Sequence, residues 1–350
     1  MAYKILILGA SYGSLLGTKL LMAGHDVTLV CRQKTADVIN AEGTDVRIKL
    51  RGEDEHRSFL SGDLPGKLDA SAPASVRLEQ YDMVALAMSE PQYGSDDIRD
   101  LLKRIAAARL PCLSIMNMPP LPFLKRIPGL DAGLLEKSFN APEVWAGFEP
   151  GLVTLCSPDP QAFRPPGEKP NVLHVGLPTN FKSAPFEAPE HNAMLREIEA
   201  DIEALRVDGK DVPVKLRMHD SLFVPFAKWA MLLTGNYRCV LASGSQPIRE
   251  AVHGNPELAA QTYALVNDIV VHLGAAESDL VPFEKYAKAA EGLLKPSSAA
   301  RAIDSGTAEI ERVDMLVKLI ADQLRLGSPL LDETVARIDK RLLENSCVAA

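Results

Sequence analysis

The sequence predicts an α/β fold in which a parallel-sheet domain is followed by an all-α domain, and three observations predict it. Short continuous apolar runs at 5–8, 27–30, 82–88 and 112–116 alternate with helical spacing, as strands buried on both faces should. A glycine-broken turn at 9–13 separates the first run from the helix that follows. From His219 onward only helical patterns remain, interrupted by Gly, Ser and Pro near 243–247, 254–256 and 296–298. Domains at 1–215 and 216–350 follow from that change.

The first element pair sets the frame. Residues 5–8 form a strand, and Leu15, Leu16, Lys19, Leu20 and Met22 return at helical spacing until Gly24 stops the helix. Residues 27–30 give the next strand, which closes one βαβ unit of Rossmann type. Beyond it, 46–50 alternates like a strand and 52–57 reads as a charged turn. A helix at 95–110 lies between the runs at 82–88 and 112–116. Residues 152–156 and 172–175 read as strands, paired in a hairpin across an exposed proline-rich insertion at 157–170. A helix at 192–205 and a short strand at 212–214 complete the domain. Further on, 222–233 reads as a buried helix, and a long helix is expected from Glu309 to about residue 326.

Composition narrows the function. At 350 residues, 47% hydrophobic and 24% charged, the chain is an ordinary globular protein long enough for two domains. A net charge of −8 argues against nucleic acid as a partner. The N-terminus enters a strand at once, and no apolar run is long enough to span a bilayer, so neither export nor membrane insertion is expected. Five scattered cysteines without metal-type spacing suit the reducing cytoplasm. His219, His253 and His272 also lack ligand spacing, so no metal site is expected.

A strand, a glycine turn and a helix N-terminus present unpaired N–H groups and a dipole to an anion, which suits a dinucleotide pyrophosphate. Gly9, Ser11, Tyr12, Gly13 and Ser14 are therefore the candidate cofactor-binding turn, one residue shorter than G-x-G-x-x-G. The same stretch also matches a G-x-S-x-G nucleophile elbow with Ser11 as nucleophile, although no Asp and His follow in the required pattern. Where NAD-binding proteins carry an acid, the second strand ends in Cys31, Arg32, Gln33 and Lys34. Arg32 and Lys34 suit a 2′-phosphate, so NADP is the expected cofactor. Ser89 to Gln92 and Asn117 stand just past later strands, where ligands sit in open parallel sheets; Asn117 also suits a turn. Lys228 is the one cation in an apolar helix, and it either snorkels to water or acts as an acid of lowered pKa. Ser297 and Glu309 read locally as capping residues.

Taken together, the βαβ running into Ala23-Gly-His-Asp-Val-Thr-Leu-Val-Cys-Arg32, Asn117 after a buried strand, Lys228 with Asn236 eight residues on, and Thr307-Ala-Glu309-Ile resemble the ketopantoate reductases. The resemblance covers almost the whole chain. It implies an NADPH-dependent reductase of a 2-keto acid, with a Rossmann domain followed by a helical one. It further implies Lys228 as general acid, Glu309 beside it, Asn117 touching cofactor and substrate, and Asn236 and Ser297 binding substrate. The chain departs from the family at Ser89, where a lysine is usual, and at Leu232, where the first asparagine after the catalytic lysine would stand. It departs again at Met118, in place of a glycine, and in the shortened turn. These departures bear on the substrate more than on the reaction. The expected partner is a small carbonyl compound, and a homodimer is compatible with the sequence, which leaves the oligomeric state open. Two other readings are an opine-type dehydrogenase and a non-catalytic NADP(H)-binding sensor or scaffold.

Overall fold

The structure, a computed structural model, describes residues 2–349 and side chains as far as Cys347. It divides into two compact units, the first made of Met1–Met88, Gln92–Phe123 and Glu143–Asp220, the second of Ser89–Pro91, Leu124–Pro142 and Ser221–Ala350. The Rossmann-type sheet domain and the helical C-terminal region expected from the sequence are both present.

In the first unit, β1 (Lys4–Leu8), α1 (Gly13–Met22) and β2 (Asp26–Val30) form the leading βαβ, and α2 (Gln33–Glu42) follows at once. Next come β3 (Asp45–Lys49), β4 (His56–Leu60), β5 (Leu68–Ser71), β6 (Met83–Leu86), α3 (Asp96–Ala108) and β7 (Cys112–Ile115), then the single turn α4 (Leu121–Leu124). The remainder is β8 (Val153–Ser157), β9 (Gln161–Phe163), β10 (Val172–Leu177), β11 (Phe181–Ser183), α5 (Pro189–Glu203), the small hairpin β12 (Arg206–Val207) with β13 (Lys210–Asp211), and β14 (Leu216–Met218).

An eight-stranded sheet runs β14-β11-β8-β7-β6-β1-β2-β5, parallel except where β11 meets β8. Its central strands are apolar because both faces are covered: β6 and β7 are buried at every residue. α3 covers its apolar stripe, Ile98, Leu101, Leu102 and Ile105, while Asp96 and Asp97 sit in its first turn, where the helix dipole favours acids. Chain order reverses between β1 and β6, the neighbours on either side of the switch point where open α/β sheets bind ligands.

Several local expectations are corrected. The charged stretch at 52–57 runs into β4, which pairs antiparallel with β3 and buries only Phe59, so its other side chains hide the strand pattern. β8 and β10 form no hairpin: β8 joins the large sheet, and β10 pairs with β3 and β9 in a four-stranded sheet. The insertion therefore carries a strand of its own. Val212 and Val214 are buried, but residues 212–214 are not a strand, because Val214 turns left-handed at φ 64° and the strand is displaced to β14.

The second unit holds α6 (Ala227–Met231), α7 (Ile248–His253), α8 (Pro256–His272), α9 (Phe283–Ala290), α10 (Ser298–Asp304), α11 (Val313–Gln323) and α12 (Pro329–Ala349). The expected continuous helix at 222–233 is instead a 3₁₀ turn at Val224–Phe226, then α6, then a π-helical turn at Leu232–Asn236. The widening has a cause. Tyr286 donates its hydroxyl to the Met231 carbonyl at 3.1 Å, and a Cβ on Gly235 would lie 2.0 Å from the Tyr286 hydroxyl oxygen. Glu309 does not open a helix; α11 begins at Val313, where the Arg312 guanidinium grips Asp314 of α11 and Asp339 of α12.

Candidate functional site

In the first unit the glycine turn lies at the switch point. Gly9 adopts φ 108°, and a Cβ there would stand 2.6 Å from the Ala87 carbonyl oxygen, so β1 and the segment after β6 approach closely only because this residue is glycine. Gly13 is held in the same way, since its Cβ would meet Ile7 at 2.6 Å. The short turn is thus a tight one. α1 opens on Gly13 with no side-chain cap; the Ser14 and Leu15 N–H groups turn back to the Ser11 and Tyr12 carbonyls at 3.3 and 3.1 Å. Ser11 is exposed at the turn, whereas Ser14 is buried and donates its hydroxyl to the Ala10 carbonyl. Tyr12 donates its hydroxyl to the Pro160 carbonyl at 2.7 Å and sets its ring edge-on to Phe181, and burial raises its pKa well above the usual phenol range. Its phenol anchors the insertion.

At the end of β2, Arg32 is the N-cap residue of α2 with an extended backbone, and Arg32 and Lys34 are both exposed. Neither forms an ion pair among the described residues, and no acid occupies the first turn of α2. A phosphate would meet two cations and a helix N-terminus there. Asn117 is half-buried just past β7, ahead of the buried Met118.

The second unit gathers the other candidates. Ser297 caps α10 by accepting from the Ala300 N–H at 3.1 Å and donates its hydroxyl to the Asn236 carbonyl at 2.7 Å. Tyr237, the next residue, donates to the Glu311 carbonyl at 2.6 Å and accepts from the Val313 N–H at 3.0 Å. The π-helical turn is thereby bound to the segment that carries Glu309, an exposed residue. Lys228 stands on α6 between buried Ala227 and Trp229 and is itself only half-buried, and Leu232 is buried. Ser89 reaches the same group through its neighbour. Glu90, 1% exposed, accepts from the Asn140 backbone N–H at 3.0 Å and from the Asn140 side-chain amide, which also donates to the Ile310 carbonyl at 3.2 Å. The Glu90 N–H donates to Glu311 at 3.3 Å, and burial raises the Glu90 pKa.

Sequence reasoning passed over Tyr237 and Tyr286, and it took in Glu90 only as one of residues 89–92 past a buried strand, without a role of its own. Lys19 was seen merely as a member of a helical repeat, yet it is fully buried. Asn117, Arg32 and the glycine turn belong to the first unit, and Lys228, Asn236, Ser297, Glu309 and Ser89 to the second.

A switch-point glycine turn in a mostly parallel sheet, followed by a helical unit, is a two-part α/β-plus-α architecture. Residues 5–108 match the family described as ketopantoate reductase PanE/ApbA, so the resemblance read from the sequence holds and the chain has the ketopantoate reductase fold. No curated protein sequence matches the chain. Among solved structures, a 2-dehydropantoate 2-reductase from Methylococcus capsulatus is 15% identical, with TM-score 0.66 and 98% of this chain aligned to 97% of that one. D-mandelate dehydrogenase in complex with NADH and anilino(oxo)acetate is 13% identical, with TM-score 0.66 over 98% of this chain and 99% of that one. The dimeric ketopantoate reductase from Staphylococcus aureus is 13% identical, with TM-score 0.64 over 98% and 99%. At these identities the likeness carries the fold. Among the described residues no helix is long and apolar enough to cross a membrane, no group of metal-type ligands gathers and no disulfide forms.

Proposed function

We propose that the protein is an NADPH-dependent reductase of the ketopantoate reductase type that acts on a small 2-keto acid or a related carbonyl compound. The observation that carries the reading is the tight turn at Gly9 and Gly13, with two exposed cations, Arg32 and Lys34, that form no ion pair among the described residues at a strand end without a carboxylate. The residues present fit the cofactor. The α1 N-terminus and the turn would hold the pyrophosphate, Arg32 and Lys34 the 2′-phosphate, and the cofactor when bound would supply hydride. Asn117, just past β7, contacts cofactor and substrate.

Lys228 is the general acid. Its half-buried ammonium stabilises charge on the carbonyl oxygen as that charge forms, then gives up its proton. Asn236 binds substrate from the π-helical turn, and Ser297 holds that turn in place. Glu309 lies on a segment bound to Tyr237 and serves the lysine from there, while Ser89 borders the cofactor from a segment fixed by Glu90. The substrate is less polar than ketopantoate, because buried Leu232 replaces a family asparagine and cannot hydrogen-bond a hydroxyl. D-mandelate dehydrogenase, which shares the fold and is solved with an arylated 2-oxo compound, supports that direction. A cytoplasmic homodimer is the expected state of the enzyme.

The test is steady-state oxidation of NADPH with ketopantoate and with alkyl- and aryl-substituted 2-keto acids, each with and without amino acids. Turnover that needs no amine, with kcat/KM highest for an apolar 2-keto acid, is expected. An absolute requirement for an amine would indicate an opine-type dehydrogenase, and no turnover at all would indicate a sensor. In the same series Arg32→Ala should weaken NADPH about tenfold more than NADH, the worth of one charge-assisted contact.

A further inference from the structure

Two arginines of the second unit share a stretch of backbone and have no acidic partner among the described residues. Arg238, just past the π-helical turn, is half-buried, and its Nη1 is shut off from water without a hydrogen-bond partner among the described residues. Arg337 of α12 comes to the same stretch, its Nη1 3.5 Å from the Val240 carbonyl oxygen. Neither forms an ion pair among the described residues. Arg341, one turn further along α12, shows what a satisfied arginine looks like here: it donates to the Leu241 and Gly244 carbonyls at 3.0 and 2.8 Å and pairs with Asp304 at 2.9 Å. Burial, then the charge of Arg337, lowers the Arg238 pKa, in keeping with Arg337 reaching the Val240 carbonyl two residues on from Arg238. The Tyr286 phenol, whose charge would favour the Arg238 cation, is kept protonated by burial and already donates to the Met231 carbonyl.

Two guanidiniums on one backbone stretch, Arg238 within it and Arg337 on its Val240 carbonyl, with no acidic partner among the described residues, are in an unfavourable state that an anion would relieve, and their forked N–H groups match a planar or tetrahedral oxyanion. We propose that Arg238 and Arg337 form a binding site for a small oxyanion, a carboxylate or phosphate group, in the helical unit. This site goes beyond the reductase reading, which does not require it. An anion there would bridge the stretch after the Asn236 turn to α12, fixing a segment that leads directly into the proposed substrate-binding residue.

The experiment is calorimetric titration of the full chain with inorganic phosphate and, separately, with malonate, against sodium chloride at matched ionic strength. Saturable binding of at least one anion is expected, and the tighter of the two shows whether phosphate or carboxylate is the natural group. Arg238→Gln and Arg337→Gln should each weaken that binding about tenfold or more, whereas Arg32→Ala, which alters the cofactor's phosphate subsite, should leave it in place. As an independent readout, Arg337→Gln should raise the Tm at low salt without added anion, because one of two repelling charges is gone. Absence of saturable binding by the wild-type chain overturns the proposal. So does binding lost in Arg32→Ala and unchanged in Arg238→Gln.

Discussion

Each unit sets a lysine in an otherwise apolar helix, and the two lysines meet opposite fates. Lys19 of α1 is wholly buried, and its ammonium donates to the Val212 and Pro213 carbonyls at 3.3 and 3.0 Å. Lys228 of α6 keeps part of its surface. The difference teaches that a cation in an apolar helix is not by itself a site. Lys19 is consumed by the fold: it ties α1 to the backbone around Val214, a β-branched residue turned left-handed. Lys228 lies on the helix that runs into the π-helical turn, and that turn's Asn236 and the following Tyr237 are tied by main-chain bonds to Ser297 and to residues 311–313.

The largest expected effect breaks this comparison most directly. Lys228→Ala should lower kcat by about 10²-fold or more and leave the Kd for NADPH nearly unchanged, as loss of a general acid does. Turnover within a few-fold of wild type would make Lys228, like Lys19, a structural cation.

The second prediction concerns Lys19 and pH. Burial, then the charge of Lys215, lowers its pKa from 10.5 to about 7, while Asp211 and Glu203 pull the other way. Between those two values the unfolded chain holds a proton on Lys19 that the folded chain has released. Stability therefore rises with pH across that window, by up to about 1.4 kcal/mol per unit, and the penalty of the buried charge is fully present below pH 7. Urea unfolding of wild type and Lys19→Met at pH 6, 8 and 10 should show the variant gaining on wild type at pH 6 and the advantage shrinking towards pH 10. A difference independent of pH would mean that the ammonium is not desolvated as its burial implies.

The two lysines also mark how far the sequence could be read. The alternation of strands and helices was legible because buried parallel strands write themselves as unbroken apolar runs, as at β1, β2, β6 and β7. β4 was hidden because only Phe59 of its side chains is buried, and β5 because Leu-Asp-Ala-Ser has none of the branched residues that mark a strand. Asn236, Ser297 and the Glu309 segment were placed by resemblance, and the bonds that gather them could not be foreseen. The break of the Lys228 helix depends on Tyr286 meeting Gly235 across a long interval of sequence, a contact no local pattern encodes. Lys19 was visible in the helical repeat, but its burial depends on residues 212–215 closing over it.

The smallest effect sharpens the division between polar groups used by the fold and those left for chemistry. Resemblance assigns Ser297 to substrate, yet its hydroxyl already donates to the Asn236 carbonyl and accepts from the Ala300 N–H. A capping serine replaced by alanine costs about 1 kcal/mol, so Ser297→Ala should lower stability by about that amount. The Asn236 carbonyl would lose its partner as well, and with it some of the precision with which the turn holds Asn236. Turnover should then fall by a few-fold at most. Ser297→Thr, which keeps a hydroxyl in the capping position, should restore most of both. The measurement is paired: Tm and kcat/KM for the same variants in the same buffer. If Ser297→Ala raises KM tenfold or more while Tm stays at the wild-type value, the hydroxyl binds substrate directly, and its bonds to Asn236 and Ala300 are secondary. If stability and activity fall together and recover together with threonine, Ser297 serves the site by holding the turn on which Asn236 stands.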